Sequence, residues 1–411
     1  MVELLGKSKE ELRAFCVVLG EPAYRGAQIY HALYAERKFD FVRMTNLPAA
    51  LRERLAKEAR ITLPEVKQRF VSRDASVRYL FGLGGAEERR SNTEGTEQSQ
   101  KSPGRAPISA SVEAVFMPSE GRQTICISTQ AGCAVDCHFC LTAQLGLIRN
   151  LTAGEIVAQV LVALEEHDNK SSKEEDAGLP EKTVGTQKPR KHATRQTPNA
   201  IQTNVVLMGQ GEPLLNFEPV MAALRILLDP EGVGLSPKHA TLSTSGIVPG
   251  IERLAREKVR PKLAISLNAS NDEERDKLMP INKKYPLKVL LEACKNYPLR
   301  PWEHLTFEYV MLGDVNDSPE DARRVVKLLA PLKKVKVNLI PWNPGELAYR
   351  ESVPERIEKF RRVLTDKGVP AFVRYSRGRD VMAACGQLAL LEVNSSQLPT
   401  SITQMDLISG D

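Results

Sequence analysis

Long apolar runs are missing from this sequence. No stretch approaches the roughly 20 residues needed to cross a bilayer, which excludes a helical membrane anchor. An apolar leader is missing as well: the opening MVELLGKSKEELRAF carries charges where a secretory signal needs hydrophobic residues. A cytoplasmic location without a membrane partner is therefore expected. Cysteine is scarce and odd in number, seven in 411 residues. In a cytoplasmic setting that count argues against a disulfide framework and for metal-binding or catalytic thiols. Nor is there a strong excess of one charge, since 57 basic against 51 acidic residues leave a formal net charge of +6. Charge alone does not establish nucleic-acid binding, although local patches allow a polyanionic partner.

Two internal stretches lack large apolar side chains. The run GGAEERRSNTEGTEQSQKSPGRAP gives a polar linker over 85–108. A second stretch at about 165–200, acidic and then basic around Lys188-Pro-Arg-Lys-His192, gives a disordered surface insertion. Neither buries enough surface to offset the entropy of ordering it. The tail at 391–411 contains no Lys or Arg and is expected to be flexible and not to bind RNA.

The remainder divides into an accessory unit at 1–84 and a catalytic domain at 109–390. Periodicity predicts helices over 9–19, 24–35 and 49–59 in the first unit, followed by a strand at 76–83. Its Lys and Arg residues suit either an RNA-facing module or an ordinary solvated helical surface. The second unit alternates β-branched strands at 124–129, 203–208, 240–244, 262–267, 305–311 and 335–340, with a further one at 371–375. Amphipathic helices interleave at 152–166, 217–228, 249–257, 286–297, 319–332 and 354–367. Repeated β–α units of this length imply parallel strands with right-handed crossovers and ligand sites at the strands' C-terminal ends. The expected fold is an α/β, open partial (β/α)6 TIM-like barrel with a small, mainly helical N-terminal domain.

The chemistry begins at Cys133-Ala-Val-Asp-Cys137-His-Phe-Cys140. Three thiolates on one short loop can hold three irons of a [4Fe–4S] cluster and leave the fourth open to a non-protein ligand. Zinc would want a fourth ligand, and His138 sits too tightly in the loop for the usual paired spacing. Thr152-Ala-Gly-Glu155 reads as the cap of the next helix. Further along, Leu207-Met-Gly-Gln-Gly-Glu-Pro places Gly211 where a ligand can approach the backbone and Glu212 where a carboxylate can meet an ammonium group. Ser243, Ser266, Asn268 and Asn343 recur at later strand ends, where local turn capping and ligand binding are both open readings. Cys126 lies just before the cluster loop and Cys385 near the end of the core. If the barrel brings its first and last strands to one mouth, these two thiols face each other across it. Cys16 and Cys294 fall within helical patterns and read as packing residues.

The arrangement of strand, cysteine loop and helix resembles the radical S-adenosylmethionine superfamily. The ordered motifs QAGCAVDCHFCLTAQLGLIRNLTAGEIVAQV, NVVLMGQGEPLLN, TLSTSGIVPG, Pro280-Ile-Asn-Lys-Lys-Tyr285, NLIPWNP and AACGQL further resemble the RlmN/Cfr family of RNA adenine methyltransferases. The resemblance implies cluster ligation by Cys133, Cys137 and Cys140. It also implies S-adenosyl-L-methionine contacts from Gly211, Glu212, Ser243, Ser266, Leu267, Asn268 and Asn343; some relatives carry His where this chain has Asn268. Reductive cleavage of the cofactor to a 5′-deoxyadenosyl radical is implied, with two cofactor molecules used per turnover. Cys385 is implied as the thiol that carries a methyl group, Cys126 as the thiol that resolves an RNA adduct by a transient disulfide, and Glu113 as the proton acceptor. Adenine C2 is neither nucleophilic nor acidic enough for polar methyl transfer, so a radical route is required. The implied substrates are 23S rRNA and tRNA, with an electron donor for the cluster, a reductant for the disulfide, and a monomeric enzyme. The alternatives are methylation at C8, and a non-enzymatic zinc-bound RNA-binding protein.

Overall fold

The computed structural model describes residues 1–84, 110–176, 201–345 and 347–388. The linker expected at 85–108 and the tail expected at 391–411 lie outside the described residues. At the N-terminus stand β1 (Val2–Glu3), α1 (Lys9–Val18), α2 (Tyr24–Tyr34), α3 (Ala49–Glu58) and β2 (Ala59–Arg60). Ser8 starts α1 by a reciprocal cap: its hydroxyl accepts from the Glu11 N–H, and the Glu11 carboxylate accepts from the Ser8 N–H. Leu12 and Cys16, one turn apart on α1, are fully buried, as are Ile29 and Leu33 of α2. Their spacing is that of an apolar stripe, and Cys16 is a core side chain.

The chain then forms β3 (Glu65–Val71), β4 (Val77–Gly82), β5 (Ser111–Ser119) and β6 (Arg122–Cys126), each antiparallel to the one before. A two-stranded pair, β7 (Gln130–Gly132) and β8 (Leu147–Asn150), brackets the cysteine loop and the short α4 (Leu141–Gln144). After α5 (Ala153–Asp176) come five β–α steps. They are β9 (Gln202–Leu207) with α6 (Phe217–Leu228), β10 (Ala240–Thr244) with α7 (Val248–Ala255), and β11 (Lys262–Ser266) with α8 (Asp272–Leu278) and α9 (Leu287–Lys295). β12 (Leu305–Met311) with α10 (Pro319–Leu329), β13 (Val335–Pro341) with α11 (Pro354–Asp366), and a last strand β14 (Ala371–Val373) complete them.

These strands make one ten-stranded sheet in the order β3-β4-β5-β6-β9-β10-β11-β12-β13-β14. From β6 onward every pairing is parallel. The order never reverses, unlike a doubly wound sheet, so right-handed crossovers keep the helices on one side and curl the sheet toward a barrel. The barrel stays open because β14 pairs only with β13 among the described residues, while β6 is flanked by β5. Side-chain alternation fits this shape. On β10, Ala240, Leu242 and Thr244 are buried while Thr241 and Ser243 are half-buried. One face packs on helices and the other faces a polar lumen.

Several elements differ from expectation. β4 belongs to the core sheet, although the sequence grouped it with the accessory helices, and β3 and β5 were not predicted. β3 has a single buried position, Phe70, and reads as a polar edge. β5 is buried on both faces from Ser111 to Phe116 and so lacks the two-residue alternation. α5 continues to Asp176, through the first part of the insertion expected at 165–200; the rest of that stretch lies outside the described residues. The charged α8 was likewise unpredicted.

Candidate active site

The cysteine loop is closed by backbone hydrogen bonds. The Cys133 N–H donates to the Gly146 carbonyl at 2.9 Å, and the Cys140 N–H to the Cys137 carbonyl at 3.0 Å. Asp136 adopts φ 57°, a left-handed conformation that an Asp tolerates, and turns the loop between the first two thiols. His138 is not part of the cavity wall; its ring lies 3.8 Å from Asp136 and is half exposed.

Cys133, Cys137 and Cys140 wall one side of a cavity of ≈ 960 Å³, open mouth included, at the C-terminal ends of the parallel strands. Gly211 and Glu212 form an adjoining part of the wall. Gly211 has φ 97°, and a Cβ there would lie 2.5 Å from the Gln130 side chain, so no larger residue fits. The buried Glu212 carboxylate accepts from the Leu214 N–H at 3.1 Å, the Ser245 N–H at 2.7 Å and the Ser245 hydroxyl at 2.8 Å. Burial nevertheless raises its pKa above the usual carboxylate value. A carboxylate desolvated in this way gains most from a cationic ligand.

Ser243, Ser266, Asn268 and Asn343 also line the cavity. Asn268 is held at φ 56°, with its side-chain oxygen accepting from the Val310 N–H at 2.8 Å. Leu267 is fully buried in the core and contributes backbone: its N–H donates to the Glu308 carbonyl at 2.9 Å. Cys385 lies on the wall too, in the segment after β14, and its thiol is exposed to the cavity. Crowding by surrounding atoms, and then the charge of Glu308, push its pKa up to about 11.

Cys126 and Glu113 stand behind this wall rather than on it. Cys126 is buried against Val115, Ala383 and Leu388, the last two flanking the Cys385 turn. Burial, then the neighbouring charge of Cys385, raise its pKa. Glu113, on β5, is fully buried, ion-paired with Arg78, and accepts from the Gln210 side-chain amide at 3.3 Å. The sequence-predicted residues thus gather into one cavity, except Leu267, Cys126 and Glu113, which adjoin it.

Sequence reasoning missed two residues here. Arg275 of α8 is buried and ties the ends of two strands, donating to the carbonyls of Ser245 (2.7 Å) after β10 and of Ser266 (3.0 Å) and Leu267 (3.0 Å) at the end of β11. Its signal was hidden in the run Asp272-Glu-Glu-Arg275, which looks like a solvated surface. Glu308 lines the cavity from β12, and burial pushes its pKa up to about 7. It sat inside an apolar strand pattern, where a buried carboxylate has no distinctive spacing.

The thiols fit an iron–sulfur cluster. Burial raises all three, Cys133 to about 12, so their ionised forms require nearby positive charge, which cluster iron supplies. Glu212 and the small polar residues opposite fit the amino-acid end of S-adenosylmethionine.

Comparisons with known proteins agree with this geometry. Residues 2–61 match the ribosomal RNA large subunit methyltransferase N-terminal domain, and residues 182–329 the radical SAM superfamily. A probable dual-specificity RNA methyltransferase RlmN of Koribacter versatilis is 44% identical over 91% of this chain and 98% of its own length. A dual-specificity RNA methyltransferase RlmN of Azorhizobium caulinodans is 42% identical over 94% of this chain and 88% of its own. Among solved structures, a radical SAM methyltransferase from Sphaerobacter thermophilus superposes with a TM-score of 0.77, at 37% identity over 94% of this chain and 99% of that one. The radical SAM domain implies a [4Fe–4S] cluster and S-adenosylmethionine. With such relatives matched along nearly their whole length, the chain belongs to the RlmN family of radical S-adenosylmethionine RNA methyltransferases.

Proposed function

We propose that this enzyme methylates C2 of an unpaired adenosine in 23S rRNA and of the adenosine beside the anticodon in tRNA. The observation that carries the reading is the shared cavity of Cys133, Cys137, Cys140 and Cys385, with Glu212 on its wall. Cys133, Cys137 and Cys140 hold the cluster, whose open iron supplies radical initiation when bound. Gly211, Glu212, Ser243, Ser266, Leu267, Asn268 and Asn343 hold S-adenosylmethionine, and two molecules are used per turnover.

Cys385 accepts a methyl group on sulfur and delivers its carbon to the base, which tethers RNA to protein. Glu113 takes the C2 proton; for this its carboxylate turns from Arg78 toward the cavity. Cys126 then attacks the Cys385 sulfur, releasing the methylated RNA and leaving a Cys126–Cys385 disulfide that an external reductant reopens. The base must leave its stack to enter the cavity. The helical residues 1–61 form the RNA-recognition unit, the ten-stranded sheet from β3 onward with its helices forms the catalytic domain, and the enzyme works as a cytoplasmic monomer supplied by a separate electron donor. No helix among the described residues is long and apolar enough to cross a membrane.

Mass-spectrometric nucleoside analysis of RNA treated with the reconstituted enzyme tests the reading. 2-Methyladenosine is the expected product, and 8-methyladenosine as the main product would overturn the C2 assignment. A colourless protein without iron and sulfide after anaerobic reconstitution would overturn the cluster assignment.

A further inference from the structure

The open side of the barrel ends in an aromatic and cationic edge. In the sheet register Ser266 lies opposite Glu308, Glu308 opposite Asn338, and Asn338 opposite Phe372. The first two wall the cavity, so this row runs from the cavity to the edge of β14 that pairs with no strand among the described residues. Phe372 is 45% exposed there and Tyr375 63%. Between them, the Arg374 guanidinium lies 5.4 Å from the centre of the Phe372 ring.

Arg374 differs from its neighbours. Arg377 pairs with Asp74 and Arg379 with Glu351, whereas no carboxylate pairs with Arg374 among the described residues. Its Nε donates instead to the Asn338 side-chain oxygen at 3.3 Å. Lys336, two residues before Asn338 and on the same strand face, also has no ion pair among the described residues. Burial, and next the charge of Arg374, depress the pKa of Lys336. Two cations therefore crowd one edge; the buried Glu308 carboxylate acts on both but forms an ion pair with neither among the described residues, and an anion placed between them relieves the repulsion that is left.

The edge adjoins the reacting thiol. Ser376, next to Tyr375, accepts from Asn343 Nδ2 at 2.9 Å, and the same amide donates to the Cys385 carbonyl at 3.1 Å. Exposed rings beside unpaired cations are the chemistry by which proteins hold single-stranded RNA: bases stack on the rings and phosphates meet the charges.

We propose that Phe372, Arg374 and Tyr375, with Lys336 behind them, hold the single-stranded nucleotide that flanks the target adenosine. The proposal rests on the enzyme acting on RNA, and it assigns a surface of the catalytic domain, separate from the N-terminal unit, to the strand. Stacking fixes the flanking base, the cations fix its phosphate, and the target base is left over the cavity that contains Cys385.

The test is fluorescence anisotropy of a labelled RNA hairpin with an unpaired loop adenosine, titrated with reconstituted holoenzyme over a sodium chloride series. Phe372→Ala and Tyr375→Ala should each weaken binding roughly five- to hundredfold while leaving the salt slope unchanged. Arg374→Gln should reduce the slope by about 0.7, the loss of one single-strand phosphate contact. Unchanged thermal melting serves as the control for folding. Wild-type affinity and slope in all three variants would overturn the proposal while leaving the RNA reading intact, whereas wild-type protein that binds no RNA would overturn both. Self-association abolished by Phe372→Ala, with RNA affinity intact, would make the edge a contact between copies and also overturn it.

Discussion

The side-chain amide of Asn343 donates to the backbone carbonyl of Cys385 at 3.1 Å. A residue just beyond β13, on the cavity wall, thereby fixes the turn that presents the proposed methyl-carrying thiol. The same amide reaches Ser376 at 2.9 Å, so the turn is held from two sides.

Asn343→Ala removes both bonds. At about 1 kcal/mol each, the cost in a denaturant melt should be about 2 kcal/mol. Peptide mass spectrometry should show a larger functional effect, with S-methylation of Cys385 slowed at least about tenfold because the thiol loses its alignment. Methylation at the wild-type rate would show that the turn is positioned by other contacts.

Cys126→Ala and Cys385→Ala separate the two thiol roles. The first should accumulate a covalent protein–RNA species on denaturing gels, since carbon transfer proceeds but resolution does not. The second should yield neither adduct nor methylated RNA. Normal turnover by Cys126→Ala without adduct would remove the resolving role, and product from Cys385→Ala would remove the carrier role.

Adduct resolution should accelerate with alkali. Burial raises Cys126 above the ordinary thiol range, so at neutral pH it is almost wholly protonated. The attacking form is the thiolate, and its fraction grows tenfold per pH unit below the pKa. Rapid-quench measurement of adduct decay should therefore rise up to about a hundredfold between pH 7 and 9. A flat profile would mean that deprotonation of Cys126 does not limit the step.

The sequence is most legible where chemistry and strand ends coincide. Cys133, Cys137, Cys140, Glu212 and Asn343 each follow a strand whose pattern predicts it, and in the structure all five line one cavity. Parallel strands buried against helices are readable because their outward positions, such as Leu242, Ile265 and Phe307, must be apolar. The environment of Glu113 was not readable. β5 is buried on both faces, so its carboxylate carries no periodic signature, and its partner Arg78 is 35 residues away in sequence. Arg275 was hidden for the opposite reason: a charge-rich helix resembles a solvated one until the strand-end carbonyls that its guanidinium ties together are known.

The Arg78–Glu113 pair gives the last prediction. Both side chains are fully buried, and the Arg78 guanidinium also stacks over Phe70 at 4.0 Å from the ring centre. Arg78→Met removes the charge but keeps much of the volume, leaving a buried carboxylate without its ionic partner. Breaking a buried pair from one side typically costs about 3–5 kcal/mol, whereas replacing both partners by apolar groups is often close to neutral. The single variant should therefore melt well below wild type, and Arg78→Met combined with Glu113→Leu should recover most of the loss. Because the double variant also lacks the proposed proton acceptor, it should be stable yet unable to resolve the RNA adduct. Restored stability together with normal resolution would show that Glu113 serves the fold alone and that another group takes the proton.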